Sequence, residues 1–298
     1  MRVGIIGIGN ICKKAYLPAI TAMEDLEIVL CTRNENTRKE ISKKYRINES
    51  VTTVEELLKK NIDCAFVHSS TETHYSICKT LLENGIHVYV DKPISYNLDE
   101  TIELSSIAKR NNKILKVGFN RRNAPMVNKL KTLGTADLII MQKNRVSSSM
   151  DPRIFLYDDF IHVLDTVRFL MGDDYKDITV NGLKDDNGLK NIMVKLSNST
   201  TTAIAIMNRD NGANEENIEM MVSGKKAVVK NLTQTTLYEK NIATIKEFGD
   251  WENTLYKRGF TPTIEGFINE VASGNVFYEP LEDSIKSHEL CEKILELL

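Results

Sequence analysis

The strongest constraint on this chain is the alternation, over its first 120 residues, of short apolar runs with helix-period segments. Candidate strands occupy residues 3–7, 28–32, 62–68, 87–90 and 114–119, with helical segments near 11–23, 35–45, 53–60, 72–84 and 98–111. The runs are rich in β-branched residues and nearly continuous, as in parallel strands covered on both faces. Thr53 with Glu56 has the spacing of a capping box, and Gly85 stands where a helix should stop. This rhythm predicts an α/β fold with an N-terminal doubly wound parallel sheet of the Rossmann type.

After Asn120 the pattern changes. A helical segment at 123–133, a strand at 136–146 and an amphipathic helix near 158–171 precede seven strand-like runs, at 177–182, 190–197, 200–207, 215–223, 226–231, 235–240 and 242–248. Asn181-Gly182, Asn187-Gly188 and Ser223-Gly224 read as hairpin turns between them. Two helices, near 262–273 and 282–297, close the chain. The expectation is a dinucleotide-binding domain over 1–120 and an α+β domain over 121–298, with a mostly antiparallel open sheet serving substrate binding and oligomerisation. A sheet open on one face favours a homodimer or a higher homo-oligomer.

Gly7-Ile8-Gly9-Asn10-Ile11-Cys12 follows the first strand and opens the first helix, the context of a pyrophosphate-binding turn. Gly7 permits the tight turn, Gly9 lets the backbone approach phosphate, and the helix start offers free N–H groups. Cys12 stands where a third glycine is usual. The second strand ends Cys31-Thr32-Arg33-Asn34, without a carboxylate to bind a ribose 2′-hydroxyl; Glu27 sits at the strand's start and reads as a surface residue. Thr32 and Arg33 suit a 2′-phosphate, so NADP(H) is favoured over NAD(H).

The chain carries 39 basic and 41 acidic residues, a formal net charge of −2, which disfavours a dedicated nucleic-acid binder. No apolar stretch is long enough to span a bilayer, and a strand-like run begins at residue 2, leaving no room for a signal peptide. Five cysteines without a CxxC pair point to reduced thiols and a cytoplasmic chain. The five histidines form no metal-ligand motif, so no metal is expected.

Lys92 stands at the end of the fourth predicted strand, the edge of an α/β sheet where ligands bind. Pro93 disfavours a helical backbone at Lys92. Beside a cationic ring and partly desolvated, such an amine suits proton transfer; the plain alternative is a surface lysine closing a strand. On a helix, Asp158, His162 and Asp165 share a face, where a carboxylate one turn away can orient imidazole. Ser69, Ser70 and Thr71 could bond ribose or phosphate, or cap a helix. Asn120 and Arg121 begin the passage into the second domain, where Arg121 could bind an acidic or polyhydroxyl substrate or form an interdomain salt bridge. Trp251 and Tyr256-Lys257-Arg258-Gly259-Phe260 could close a substrate pocket, or pack as core or subunit contact.

His68-Ser69-Ser70-Thr71-Glu72-Thr73-His74, Val90-Asp91-Lys92-Pro93, Val117-Gly118-Phe119-Asn120-Arg121-Arg122 and Asp158-Asp159-Phe160-Ile161-His162-Val163-Leu164-Asp165 resemble, in order and spacing, the motifs of the Gfo/Idh/MocA oxidoreductases, with most likeness to the MviM-like (virulence-factor) branch. The resemblance runs from residue 1 to about 172, with a weaker echo near Thr254–Phe260. It implies an NAD(P)-dependent oxidoreductase acting on CH–OH groups of a sugar, polyol or related hydroxy compound. It also implies Lys92, His162 and Asp158 as catalytic residues, with Asp165 holding the helix in place. The expected cofactor-binding set is Gly7, Gly9, Asn10, Ile11, Thr32, Arg33, Ser69, Ser70, Thr71, His74, Asp91, Lys92 and Asn120. Two departures stand out: Asp91 replaces the family's glutamate, and Phe160 takes the place of a glycine two residues before the histidine. Phe160 and Cys12 motivate an alternative, a catalytically silent nucleotide-binding regulator or scaffold. A third reading keeps the enzyme but makes its net reaction elimination or glycoside cleavage through transient oxidation.

Overall fold

In the computed structural model, which describes residues 1–298, the chain divides into two compact units, Met1–Gly118 with Phe260–Lys286, and Phe119–Gly259 with Ser287–Leu298. The segment Phe260–Lys286, expected in the second domain, groups with the first unit, because Phe267 of the helix Phe260–Ser273 packs on Phe66 and Tyr89 (ring centroids 5.2 and 5.6 Å apart) and Lys116 pairs with Glu270 at 2.8 Å.

The first unit holds six parallel strands, β1 (Arg2–Ile6), β2 (Glu27–Cys31), β3 (Glu49–Val51), β4 (Cys64–Val67), β5 (His87–Val90) and β6 (Leu115–Val117), in the order β3-β2-β1-β4-β5-β6. The winding reverses between β1 and β4, so the ligand crevice of this doubly wound sheet lies outside their carboxyl ends. Sequence patterning finds five of the strands. It passes over β3, whose three residues are mostly polar and pair only with β2 at the sheet edge. The expected first helix starts with a wide π-turn over Cys12–Tyr16, where Leu17 N–H donates to the Cys12 carbonyl, and continues as α-helix only to Ile20. Thr53 caps the helix Val54–Leu58 by accepting from Glu56 N–H at 3.2 Å, while the Glu56 carboxylate reaches back to Thr52 N–H.

The second unit is built on eight strands, β7 (Leu138–Val146), β8 (Asp177–Asp185), β9 (Gly188–Ser197), β10 (Thr202–Asn208), β11 (Asp210–Val222), β12 (Lys225–Lys230), β13 (Gln234–Glu239) and β14 (Ile242–Glu247), in the order β14-β13-β12-β11-β7-β10-β9-β8. All neighbours are antiparallel except β7 and β10. The helix Ile161–Met171 lies against β7 and β10, and one face of the sheet buries Ile139, Met141, Ala203, Ala205, Ile218 and Met220. Asn181-Gly182 is not a turn: it lies inside β8 opposite Met193 and Ile192, where Leu189 and Leu298 crowd Gly182. Pairing along β9 overrides the local turn signal. No helix is long and apolar enough to cross a membrane.

Candidate active-site residues

In the first unit the loops after β1, β4 and β5 meet at the carboxyl edge of the sheet. Gly7 has φ +81°, and a Cβ there would stand 2.3 Å from the Ser69 amide nitrogen, so glycine lets the loops after β1 and β4 touch. Gly9 is different. A Cβ on it would meet nothing within 4 Å, and Gly9, Asn10 and Ile11 are all exposed. The chain itself makes no demand for glycine at 9. An open space there fits a diphosphate lying against the backbone, and in that respect the residues fit a dinucleotide. Cys12 is wholly buried, and burial pushes its thiol up to about 12. It serves packing, as a third glycine would.

At the end of β2, Arg33 is exposed and Thr32 half-buried, with Arg38 donating to the Thr32 carbonyl. Asn34 is taken up as N-cap of the helix Glu35–Tyr45, accepting from Thr37 N–H at 2.9 Å. Glu56 has its carboxylate engaged by Thr52 through N–H and Oγ1 at 2.8 and 2.7 Å. Glu27 pairs with Arg2 at 2.9 Å on the surface.

After β4, Ser69 Oγ accepts from Thr73 Oγ1 at 2.7 Å, while Ser70 takes the N-cap place of the helix Thr71–Glu83 without a capping bond from its own hydroxyl. His74 is buried. Its Nδ1 lies 2.9 Å from the Pro93 carbonyl oxygen and its Nε2 3.1 Å from that of Ser69. The ring thus lies between the loop after β4 and the loop after β5 and ties one to the other. The Lys92–Pro93 peptide is cis.

Asp91 lies under that brace. Its Oδ1 accepts from Tyr16 Oη and from the Lys92 N–H, both at 3.0 Å, and the Tyr16 and Tyr89 hydroxyls are 3.3 Å apart. Gly118 makes room, since a Cβ there would stand 2.9 Å from Tyr16 Oη and 3.0 Å from Tyr89 Oη. Burial pushes the Asp91 carboxyl above its ordinary range, partly offset by the neighbouring Lys92 charge and the Tyr16 bond. His68 completes the cluster, stacked on Tyr16 with ring centroids 3.8 Å apart. Sequence reasoning names neither Tyr16 nor Tyr89. The signal for His68 is that the apolar run of β4 continues into it.

In the second unit a π-turn over Phe155–Phe160 leads into the helix Ile161–Met171. The wider turn alters which side chains share a side. Asp158 and His162 are half-buried, whereas Asp165 is buried and accepts from Arg122 Nε at 2.9 Å and Ser287 Oγ at 2.8 Å. The π-turn changes the spacing between Asp158 and the helix, while His162 and Asp165 keep α-helical spacing within it, and the bonds of Asp165 to Arg122 and Ser287 suit the helix-holding part expected of it. Phe160 is wholly buried against Phe155, so its bulk enters the core.

Arg121 is also committed. Its Nε and Nη2 donate to the two Glu216 carboxylate oxygens at 2.6 and 2.9 Å, a buried bidentate pair inside the second unit. Asn120, expected at the cofactor, is buried; its amide donates to the Arg258 carbonyl at 2.7 Å and its Oδ1 accepts from Arg121 Nη1 at 3.2 Å. Both ends of that amide are used within the unit. Lys143 points from β7 to Asp159 on the π-turn, and Arg145 and Arg209 reach the same carboxylate at 3.1 and 2.8 Å. Burial and the Arg121 charge push the Lys143 amine down to about 7, while its cationic neighbours hold Asp159 well below the carboxylate range despite burial.

Two family models match: "Oxidoreductase family, NAD-binding Rossmann fold" (Gfo/Idh/MocA) over residues 1–119, and "YceM-like, C-terminal domain" over 125–241. A Salmonella typhimurium protein named as an oxidoreductase, YceM, is 32% identical, covering 100% of this chain and 97% of its own. The crystal structure of the dehydrogenase MviM from Clostridium difficile superposes with a TM-score of 0.95 at 36% identity, over 100% of this chain and 99% of that one. Myo-inositol 2-dehydrogenase of Thermotoga maritima is 24% identical, covering 92% of this chain and 89% of its own. The dinucleotide turn, the Asp91-Lys92-Pro93 edge and relatives alike over the whole length converge: the chain belongs to the Gfo/Idh/MocA family, in its MviM-like branch, and is an NAD(P)-dependent oxidoreductase acting on CH–OH groups.

Proposed function

We propose that the chain transfers a hydride between a nicotinamide dinucleotide, NADP(H) in preference to NAD(H), and the C–OH or C=O carbon of a sugar, polyol or related compound. The observation that carries this reading is the pairing, on one sheet edge, of the open Gly9 turn with Lys92, whose backbone is held by Asp91 and by the His74 brace. The coenzyme, when bound, supplies or accepts the hydride. Gly7, Gly9, Asn10 and Ile11 would hold its diphosphate, Thr32 and Arg33 its adenosine ribose end, and Ser69, Ser70 and Thr71 its hydroxyls. Lys92 would donate a hydrogen bond to the reacting oxygen, and His162, oriented by Asp158, would carry the proton. The substrate class is argued from relatives such as the myo-inositol 2-dehydrogenase. The preference for NADP(H) is supported by an exposed Arg33 and by the engagement of Glu56 elsewhere. Homo-oligomerisation belongs to the same proposal and is read by sedimentation.

Lys92→Ala should retain coenzyme binding and lose turnover by roughly two to four orders of magnitude, the usual contribution of a positioned acid–base group. Equal turnover in variant and wild type removes Lys92 from the mechanism. Fluorescence titration should show tighter binding of NADPH than NADH, with the difference lost in Arg33→Ala. A panel of sugars and polyols, followed by product analysis as well as by absorbance at the nicotinamide band, separates net oxidation from elimination through transient oxidation.

A further inference from the structure

The sheet face beneath the helix Ile161–Met171 changes character along β7. Ile139 and Met141 are buried apolar residues; two residues further on the same face, Lys143 is buried as well. Glu216 is its ladder partner on β11. At this end five cations gather, Arg121, Lys143, Arg145, Arg209 and Arg258, around two carboxylates, Asp159 and Glu216. Asp165 is taken by Arg122, and even with Asp158 of the same turn counted the cations remain in excess.

The distribution is uneven. Glu216 is used by Arg121 through two hydrogen bonds. Asp159 alone serves Lys143, Arg145 and Arg209. Arg258 is half-buried and its guanidinium forms no ion pair. It does not hang free in solvent, because its carbonyl is bonded to the Asn120 amide, and the next residue, Gly259, packs so closely that a Cβ would stand 2.1 Å from the Asn120 carbonyl oxygen. Burial lowers Arg258 below the ordinary arginine value; Arg121 and Arg145 lie near enough to disfavour its charge further, and Glu216, already bonded to Arg121, offsets them only in part. Gathering like charges at a partly desolvated place is costly unless an anion offsets them. Arginine presents the fork geometry that carboxylates and phosphates match.

We propose that this end of the second unit is an oxyanion site, in which Arg258, with Arg145 beside it, binds a carboxylate or phosphate of the substrate. The preferred substrate is then an acidic sugar derivative, a sugar acid or a sugar phosphate, in place of a neutral polyol. The word substrate rests on the dehydrogenase reading above; the anion site itself does not.

Calorimetric titration of the full chain with inorganic phosphate, glucuronate, glucose 6-phosphate and glucose tests this. Phosphate, glucuronate and glucose 6-phosphate should bind the wild type, more weakly as salt rises, and glucose should bind least. Arg258→Gln should weaken the anionic ligands at least about ten-fold and leave glucose unchanged, with Arg258→Lys intermediate. The tighter of glucuronate and glucose 6-phosphate identifies the group as carboxylate or phosphate. Should Arg258→Gln fail to fold by circular dichroism, Arg145→Gln, at a side chain 38% exposed, carries the same expectation. Anionic ligands that do not bind, or bind the variants as tightly as the wild type, overturn the proposal. Coenzyme titration runs in parallel: loss of NADPH and NADH binding would overturn the dehydrogenase reading and leave the anion result standing on its own.

Discussion

His68 offers a stability test worked directly from the structure. Its ring is 4% exposed, stacked on Tyr16 and close to Phe66 and Tyr89, and neither ring nitrogen has a hydrogen-bond partner. Burial, and to a lesser degree the nearby His74, pushes its pKa from an ordinary 6.5 down to about 3. Between those values the unfolded chain binds a proton at this site and the folded chain does not, so stability rises with pH across the window and is lost as pH falls from about 6.5 toward 3. At pH 5 the unfolded imidazole lies about 1.5 units below its pKa. At about 1.4 kcal/mol per unit the linkage amounts to about 2 kcal/mol relative to pH 8. For a chain of this size that is a fall in Tm of roughly 3 °C from this one group.

His68→Phe keeps an aromatic ring on Tyr16 and removes both unpartnered polar atoms, so at pH 8 it should be at least as stable as wild type. Its loss of stability between pH 8 and pH 5 should be smaller by about 2 kcal/mol, with Tm followed by circular dichroism at both pH values. His87, which half-burial also lowers, to about 4, is present in both proteins and cancels in the comparison. His68→Leu repeats the test with a different shape, in case the larger ring overpacks. Identical pH dependence in variant and wild type would mean that His68 gains its proton as easily folded as unfolded, which refutes its burial as a neutral ring.

Two further perturbations separate architecture from ligand binding. Gly9→Ala enters open space and should leave Tm unchanged while weakening NADPH binding in a fluorescence titration; Gly7→Ala meets the Ser69 backbone at 2.3 Å and should lower Tm by several degrees before any ligand is added. Breaking the buried bidentate pair by Glu216→Gln should cost about 3–5 kcal/mol in urea unfolding, because Arg121 would be left buried without its carboxylate. A second change, Arg121→Met, made in the same chain should restore most of that loss.

How much of this was legible in the sequence depends on how local each cause is. The strands β1, β2, β4 and β5 announce themselves because a parallel strand covered on both faces must be apolar at nearly every position. Glu49-Ser50-Val51 cannot do so, since an edge strand of three residues needs only its hydrogen bonds to β2. Gly7 and Lys92 were readable for a similar reason: a glycine turn after a first strand and a lysine before proline at a strand end are defined by neighbours in the chain. The partners of His74 and Asn120, the carbonyls of Pro93 and Arg258, were not legible, because loop packing sets them and spacing does not encode it. The π-turn at Phe155–Phe160 was equally hidden, since nothing in the spacing of Asp158 and His162 reveals a wider turn between them. The ionic end of the second sheet was half legible. Alternation along β7 puts Lys143 in phase with Ile139 and Met141, a lysine on a buried face, but only the register against β11 supplies Glu216.

The two departures that favoured a silent scaffold lose their force for one physical reason. Cys12 and Phe160 are both wholly buried, Cys12 beneath the dinucleotide turn and Phe160 against Phe155, so each alters the packing under a site and not the surface a ligand would meet. The positions that would meet a ligand behave otherwise. Gly9 keeps a space that nothing in the first unit fills, and Arg258 keeps a charge that no carboxylate in the second unit bonds, Glu216 acting on it only from beyond ion-pair distance. A scaffold under selection only for stability gains nothing from an unneeded glycine or from a half-buried, unpaired guanidinium, and substitutions that removed either would be stabilising or neutral. Retaining both is what a chain would do if each unit still had a partner to bind, a dinucleotide in the first and an oxyanion in the second.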